Sequence, residues 1–222
     1  MKMNIEKQSS KFIKPLVPTP PTLRCYKIGF IDELVLSMNV GVVLFLSENN
    51  NHHNPKFVTY LEQSLEKILT RFYPLAGRYV NETYSVDCND DGVEFKHAKV
   101  NIKMQDIIVN EANVMLVDKF IPPKTGVTNL LLAIQAIVFK CGGVALGVCA
   151  AHKIVDASTL CTFLSEWTAM NREENDIELT EPGFNSSSLF TGRCFPPVPL
   201  QPISVHDMSN KYMFFSKYFR YQ

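Results

Sequence analysis

The sequence predicts an α/β fold, a mixed and mostly buried β-sheet with helices packed on it. Three observations carry that expectation. Residues 40–46, 130–139 and 144–151 are apolar on both alternating faces, as strands buried inside a sheet require. Phe57, Val58, Leu61, Leu65, Ile68, Leu69 and Phe72 recur at helical spacing, as do Leu160, Phe163, Leu164 and Trp167. Between the second and third apolar runs, Cys141-Gly142-Gly143 supplies the positive φ of a tight hairpin.

Composition narrows the function classes. The chain has 222 residues, 46% hydrophobic and 20% charged, enough for one large core or for one domain and part of a second. Its 22 basic residues cancel 22 acidic ones, so no electrostatic footprint for nucleic acid or an anionic membrane is expected. The first ten residues contain no apolar signal core, and Asn39, Gln135 and Lys140 interrupt the apolar runs before spanning length. A cytoplasmic location is expected. Six scattered cysteines without a Cys-x-x-Cys pair read as reduced thiols, and no metal site is expected.

Taken in order, residues 12–16 suit a short edge strand, stopped by Pro18-Thr19-Pro20-Pro21. Residues 23–28 and 40–46 read as buried strands. Residues 47–54 form a polar loop whose His52-His53 pair lacks a nearby third ligand. Asn54-Pro55 opens a helix that stops at Tyr73-Pro74, because proline disfavours helical backbone at the preceding residue. Residues 78–80 continue as a strand. Residues 84–88 and 93–98, around Asn89-Asp90-Asp91-Gly92, read as a hairpin, and 107–120 as a helix. Asp156 suits the N-cap of the next helix, which ends in the charged run 171–176. Residues 182–202 are rich in Pro and Ser, a crossover, and 211–221 read as a final aromatic strand.

One pattern carries chemistry. His152-Lys153-Ile154-Val155-Asp156 lies where the third apolar run ends and a helix begins. A side chain there is held by the scaffold yet opens to a cleft. Imidazole, with an ordinary pKa of ~6.5, suits general-base work near neutral pH. The spacing alone is common: nine aspartates and five histidines in 222 residues place it in about one such chain in five. Asp156 can face the imidazole or cap the helix.

Five motifs in a fixed order decide the reading. They are Pro18-Thr19-Pro20, then Leu65-x-x-x-Leu69-x-x-Phe72-Tyr73-Pro74-Leu75-Ala76-Gly77-Arg78, then Val86-Asp87-Cys88-Asn89-Asp90-Asp91-Gly92-Val93. Gln135-x-x-x-Phe139-x-Cys141-Gly142-Gly143-x-Ala145-x-Gly147 and His152-x-x-x-Asp156 follow. Together they resemble the amino-terminal half of a plant BAHD acyltransferase. The segment 84–90 and Ala157 look most like its alkaloid acetyltransferase branch. Ala157 replaces the glycine of the commoner His-x-x-x-Asp-Gly motif, and the family's second motif, Asp-Phe-Gly-Trp-Gly, is absent.

The resemblance implies a chloramphenicol acetyltransferase-like fold, of which this chain holds the first of two domains. It places the amino-terminal acyltransferase domain at 1–181, a crossover or linker at 182–210, and a truncated start of the second domain at 211–222. It implies acyl transfer, with acetyl expected, from acyl-coenzyme A as co-substrate to a hydroxyl or amine of a plant specialised metabolite such as an alkaloid. No bound cofactor is implied. His152 would be the general base. Asp156 would be a structural residue pairing with an arginine, with Arg78, Arg172 and Arg193 as candidates. The missing carboxy-terminal half is expected to complete the site. The alternative is a catalytically incomplete paralogue or fragment acting at most as a binding module.

Overall fold

A computed structural model describes residues 3–35, 37–46, 56–108, 114–123, 129–171, 182–184, 186–194 and 216–219. In chain order the elements are β1 (Ile5–Ile13), β2 (Cys25–Lys27), α1 (Phe30–Leu34), β3 (Asn39–Leu46), α2 (Phe57–Arg71), β4 (Arg78–Val80) and β5 (Ser85–Asp87). There follow β6 (Val93–Val100), α3 (Gln105–Ile108), α4 (Val114–Val117), β7 (Leu132–Val138), β8 (Val144–Ala151), α5 (Ala157–Asn171), α6 (Ser186–Leu189) and β9 (Ser216–Phe219).

The main sheet has six strands in the order β1-β6-β7-β8-β3-β9. It is mixed: β6 runs parallel to β7 and β3 parallel to β9, while β1/β6, β7/β8 and β3/β8 are antiparallel. A second, three-stranded sheet runs β2-β5-β4. The expected α/β class with a mixed sheet and packed helices is the one observed.

The three doubly apolar runs are the centre of the main sheet because both its faces are covered. On one face Val42, Leu44, Leu46, Ile134, Leu146 and Val148 pack with α2 and α5. On the other, Val43, Phe45, Ile137 and Ala145 pack with Met104, Ile107 and Phe120. Successive strand residues therefore enter two cores, as a period of two dictates.

The expected α2 and α5 stripes are buried. Leu65, Ile68, Leu69 and Phe163 are sealed from solvent, and Trp167 is 1% exposed. The Trp167 indole N–H donates to the Leu61 carbonyl at 3.2 Å and to Ser64 Oγ at 2.9 Å, and Arg71 Nε lies 3.0 Å from Glu166 Oε2. These bonds join the two helices by their buried sides. α2 begins at Phe57, with Lys56 as its N-cap; Asn54 and Pro55, like the His52-His53 pair, lie outside the described residues.

Three expectations require correction. The edge strand is Ile5–Ile13 rather than 12–16, since an edge strand with little burial needs no apolar period and polar residues guard it against mispairing. The buried strand expected over 23–28 is a 3₁₀ turn, Pro21–Leu23, followed by the partly exposed β2. The segments around Asn89–Gly92 form no hairpin: β5 belongs to the small sheet and β6 to the large one. Asp90 there accepts the Thr19 amide at 2.9 Å and its hydroxyl at 2.6 Å, so the turn is tied to the proline segment. The helix expected over 107–120 is helical where it is described, in α3, in α4 and in a 3₁₀ turn, Asp118–Phe120, while residues 109–113 lie outside the described residues.

The motif around Arg78 is likewise architectural. Its guanidinium donates to the carbonyls of Gly77 at 2.7 Å and Gly92 at 2.9 Å, and lies 5.5 Å from the Phe12 ring centroid. It thereby joins the small sheet to the first strand of the large one.

None of the six cysteines forms a disulfide, and burial pushes the Cys88 thiol up to about 12, so it is inert as a nucleophile. Arg193 and Cys194 are anchored on α1, where Glu33 accepts their amides, each at 3.0 Å. The final strand is β9, which pairs along the β3 edge from Val43 to Leu46.

At the hairpin, Gly142 takes φ +89°. At Gly147 the requirement is space: a Cβ would collide with the Phe120 carbonyl oxygen. Because the obstacle is backbone, it cannot rotate away. Gly147→Ala is expected to destabilise the fold by about 1–3 kcal/mol, read as a lower urea midpoint. An unchanged midpoint would contradict this packing.

Candidate functional site

His152 is placed by the end of the β3–β8 ladder. The last paired residues are Asn39 and Ala151, and His152 N–H then donates to the Met38 carbonyl at 2.9 Å, one step beyond. On the other side Ala151 N–H donates to the Leu131 carbonyl at 2.9 Å. The chain then turns at once, because the Ala151 carbonyl accepts the amides of Ile154 and Val155, both at 3.0 Å. Val155 is buried at 1% exposure and pins the turn to the main core.

Asp156 closes this segment. Its Oδ1 accepts the Thr159 amide at 2.7 Å and its carbonyl accepts the Leu160 amide at 3.0 Å, so it is the N-cap of α5. The Thr159 amide, first, holds the carboxyl below the ordinary aspartate range; the Thr159 hydroxyl and the nearby His152 add to that. Among the described residues no hydrogen bond joins Asp156 to His152. Nor does Asp156 pair with an arginine among them: Arg78 pairs with Asp91, Arg193 lies over the Phe30 ring, and Arg172 is outside the described residues.

The His152 ring is half-buried, and its Nδ1 is buried without a hydrogen-bond partner among the described residues. Leaving such an atom unpartnered costs about 1–3 kcal/mol. A native structure tolerates that cost most readily where a ligand or reacting group supplies the missing partner.

Beside this turn lies a cavity of about 410 Å³. Its wall includes Met38, whose carbonyl holds His152, and Ala151, Lys153 and Ile154 from the turn itself. Tyr79 and Leu131 face them from other segments. The imidazole is not part of this wall. The volume is in the range of small-molecule sites, about 300–1,000 Å³. Sequence reasoning missed Lys153 and Tyr79 as cavity residues; the one available signal was the place of Lys153 next to His152.

Among the described residues no group of three or more His, Cys, Asp or Glu could hold a metal ion. Among them, too, no helix is long and apolar enough to cross a membrane.

Comparisons with known proteins identify the family. A profile described as the Transferase family matches residues 3–216. Vinorine synthase of Rauvolfia serpentina is 40% identical over 211 residues, 91% of this chain and 48% of that protein. Stemmadenine O-acetyltransferase of Catharanthus roseus is 37% identical over 204 residues, 87% of this chain and 47% of that one. The crystal structure of vinorine synthase superposes with a TM-score of 0.77 at 38% identity, covering 85% of this chain and 48% of the other. TRI101 of F. graminearum, crystallised with coenzyme A and deoxynivalenol, shares the fold at 16% identity and a TM-score of 0.51, over 69% of this chain and 40% of its own. The chain spans about half the length of the relatives it matches. It belongs to the Transferase family, the BAHD acyltransferases.

Proposed function

We propose that this chain provides one wall of an acyltransferase site, with His152 as general base and acyl-coenzyme A as donor. The observation that carries the reading is the placement of His152: at a strand end, half-buried, with an unpartnered ring nitrogen, next to a cavity of substrate size. In the reaction a ring nitrogen of His152 takes the proton of an acceptor hydroxyl or amine. The acceptor atom forms a bond to the thioester carbonyl carbon, and the carbon–sulfur bond then breaks. Coenzyme A leaves as thiolate and recovers the proton from the imidazolium. Acetyl as the acyl group, and an alkaloid-like plant metabolite as acceptor, are favoured by the relatives, one of which is named as a stemmadenine O-acetyltransferase. Coenzyme A as the leaving group is favoured by a protein of the same fold crystallised with it.

In this reading residues 1–181 are the acyltransferase domain, 182–210 the crossover and 211–222 the start of a second domain, in a cytoplasmic protein. The second half would supply the opposite wall. The chain's span of about half its relatives favours a further reading, in which these 222 residues alone bind but do not turn over.

Two measurements test these proposals. Residues 1–222 alone should release no thiol from acetyl-coenzyme A above background with a panel of alcohols. Robust release that Ala substitution of His152 abolishes would show the chain sufficient. In a chimera carrying residues 1–222 in place of the matching part of vinorine synthase, His152→Ala should lower kcat/KM by at least ~10²-fold. An unchanged value removes the base role.

Asp156 we assign to structure rather than chemistry. Asp156→Ala should cost about 0.5–2 kcal/mol as a lost N-cap, whereas Asp156→Asn, itself a good cap, should retain most stability and turnover. The folded carboxyl titrates below its unfolded value of ~3.9. Its contribution is therefore complete above that pH and is lost as pH falls through the lowered folded value. The stability gap between wild type and Asp156→Ala should close in acid. A large loss of turnover in Asp156→Asn at full stability would instead place the carboxylate in the chemistry.

A further inference from the structure

The cavity beside His152 has an unbalanced charge. Its floor is apolar, built from Leu130, Leu131, Leu132 and Ala133 with Pro122 and Pro123, and its neutral polar groups include Ser37, Asn81 and Asn129. Among the described residues Lys153 is the one charged side chain in the wall, and no Asp or Glu lines it. The Lys153 ammonium lies 6.0 Å from the centroid of the Tyr79 ring, a residue of the same wall, so a cation–π contact holds it at the cavity. Among the described residues no carboxylate pairs with it.

The nearby acids are engaged elsewhere. Asp156 is turned to the Thr159 amide, and Glu33, the acid that acts on Tyr79, accepts the amides of Arg193 and Cys194. Tyr79 itself brings no negative charge, since burial raises its hydroxyl above the ordinary value. A half-buried ammonium without a counter-charge attracts an anion and repels a second cation more strongly than it would in open water.

We infer that Lys153 makes this cavity an anion-selecting site: it takes an apolar body carrying a carboxylate or phosphate and rejects the same body carrying an ammonium. The inference deepens the acyl-transfer reading and rests on it only for the role of the ligand, because the binding preference exists without turnover. An acceptor that contains a basic amine would then enter as the neutral free base, or with its ammonium away from the Lys153 wall. Two ligands of the proposed reaction can present the anion, an acceptor carboxylate and a coenzyme A phosphate.

The test uses residues 1–222 and a matched pair of indoles, indole-3-acetate and tryptamine, with dissociation constants from ligand-observed NMR. Indole-3-acetate should bind at least ~10-fold more tightly than tryptamine. Lys153→Met should bring the ratio near one, Lys153→Arg should keep it, and Lys153→Glu should invert it. Coenzyme A that displaces indole-3-acetate from the wild type, and binds less well to Lys153→Met, assigns the anion to the coenzyme. Failure to displace it assigns the anion to the acceptor. Equal binding of the two indoles, binding of neither, or a preference that survives Lys153→Met overturns the inference. Because no step of the assay requires acyl transfer, an inactive His152 leaves the ratio readable.

Discussion

The site depends on one hydrogen bond, from the His152 amide to the Met38 carbonyl at 2.9 Å. It adds a last rung to the β3–β8 ladder after the strands have formally ended, and so fixes where the imidazole begins. Everything beneath it is rigid for a reason that can be named. β3, β7 and β8 are covered on both faces, and their residues alternate between two cores. Beyond the rung, the doubled acceptance by the Ala151 carbonyl and the Asp156 cap turn the chain into α5 within a few residues.

That arrangement separates two residues which the spacing presents as a pair. His152 keeps a buried ring nitrogen without a partner, whereas Asp156 is occupied with the helix terminus and carries its lowered pKa for that reason. The Asp156 carboxylate accepts the Thr159 amide, and among the described residues no hydrogen bond joins it to the imidazole. In the proposed reading the pair is a base and the cap that holds its turn in place.

The central strands were legible in the sequence because burial on both faces leaves continuous apolar runs, and α2 and α5 because one-sided burial leaves a helical stripe. His152 was legible by position, at the end of such a run, and its family by five ordered motifs. β1 was not, since pairing at a sheet edge is made by backbone and tolerates Glu6, Lys7 and Ser9. The Asn89–Gly92 turn misled because local turn chemistry cannot say that Asp90 binds Thr19, 71 residues earlier. The cavity was illegible for a related reason: its wall is assembled from Ser37, Tyr79, Pro122, Leu131 and Lys153, which only the sheet brings together.

The central claim is that the ladder, and not the loop, positions His152. Amide hydrogen exchange at His152, resolved by NMR on the 222-residue chain, tests it most directly. Protection comparable to that of the hydrogen-bonded β8 amides is the result expected. Exchange at the rate of an unstructured amide would contradict the account, because the imidazole would then hang from a mobile turn.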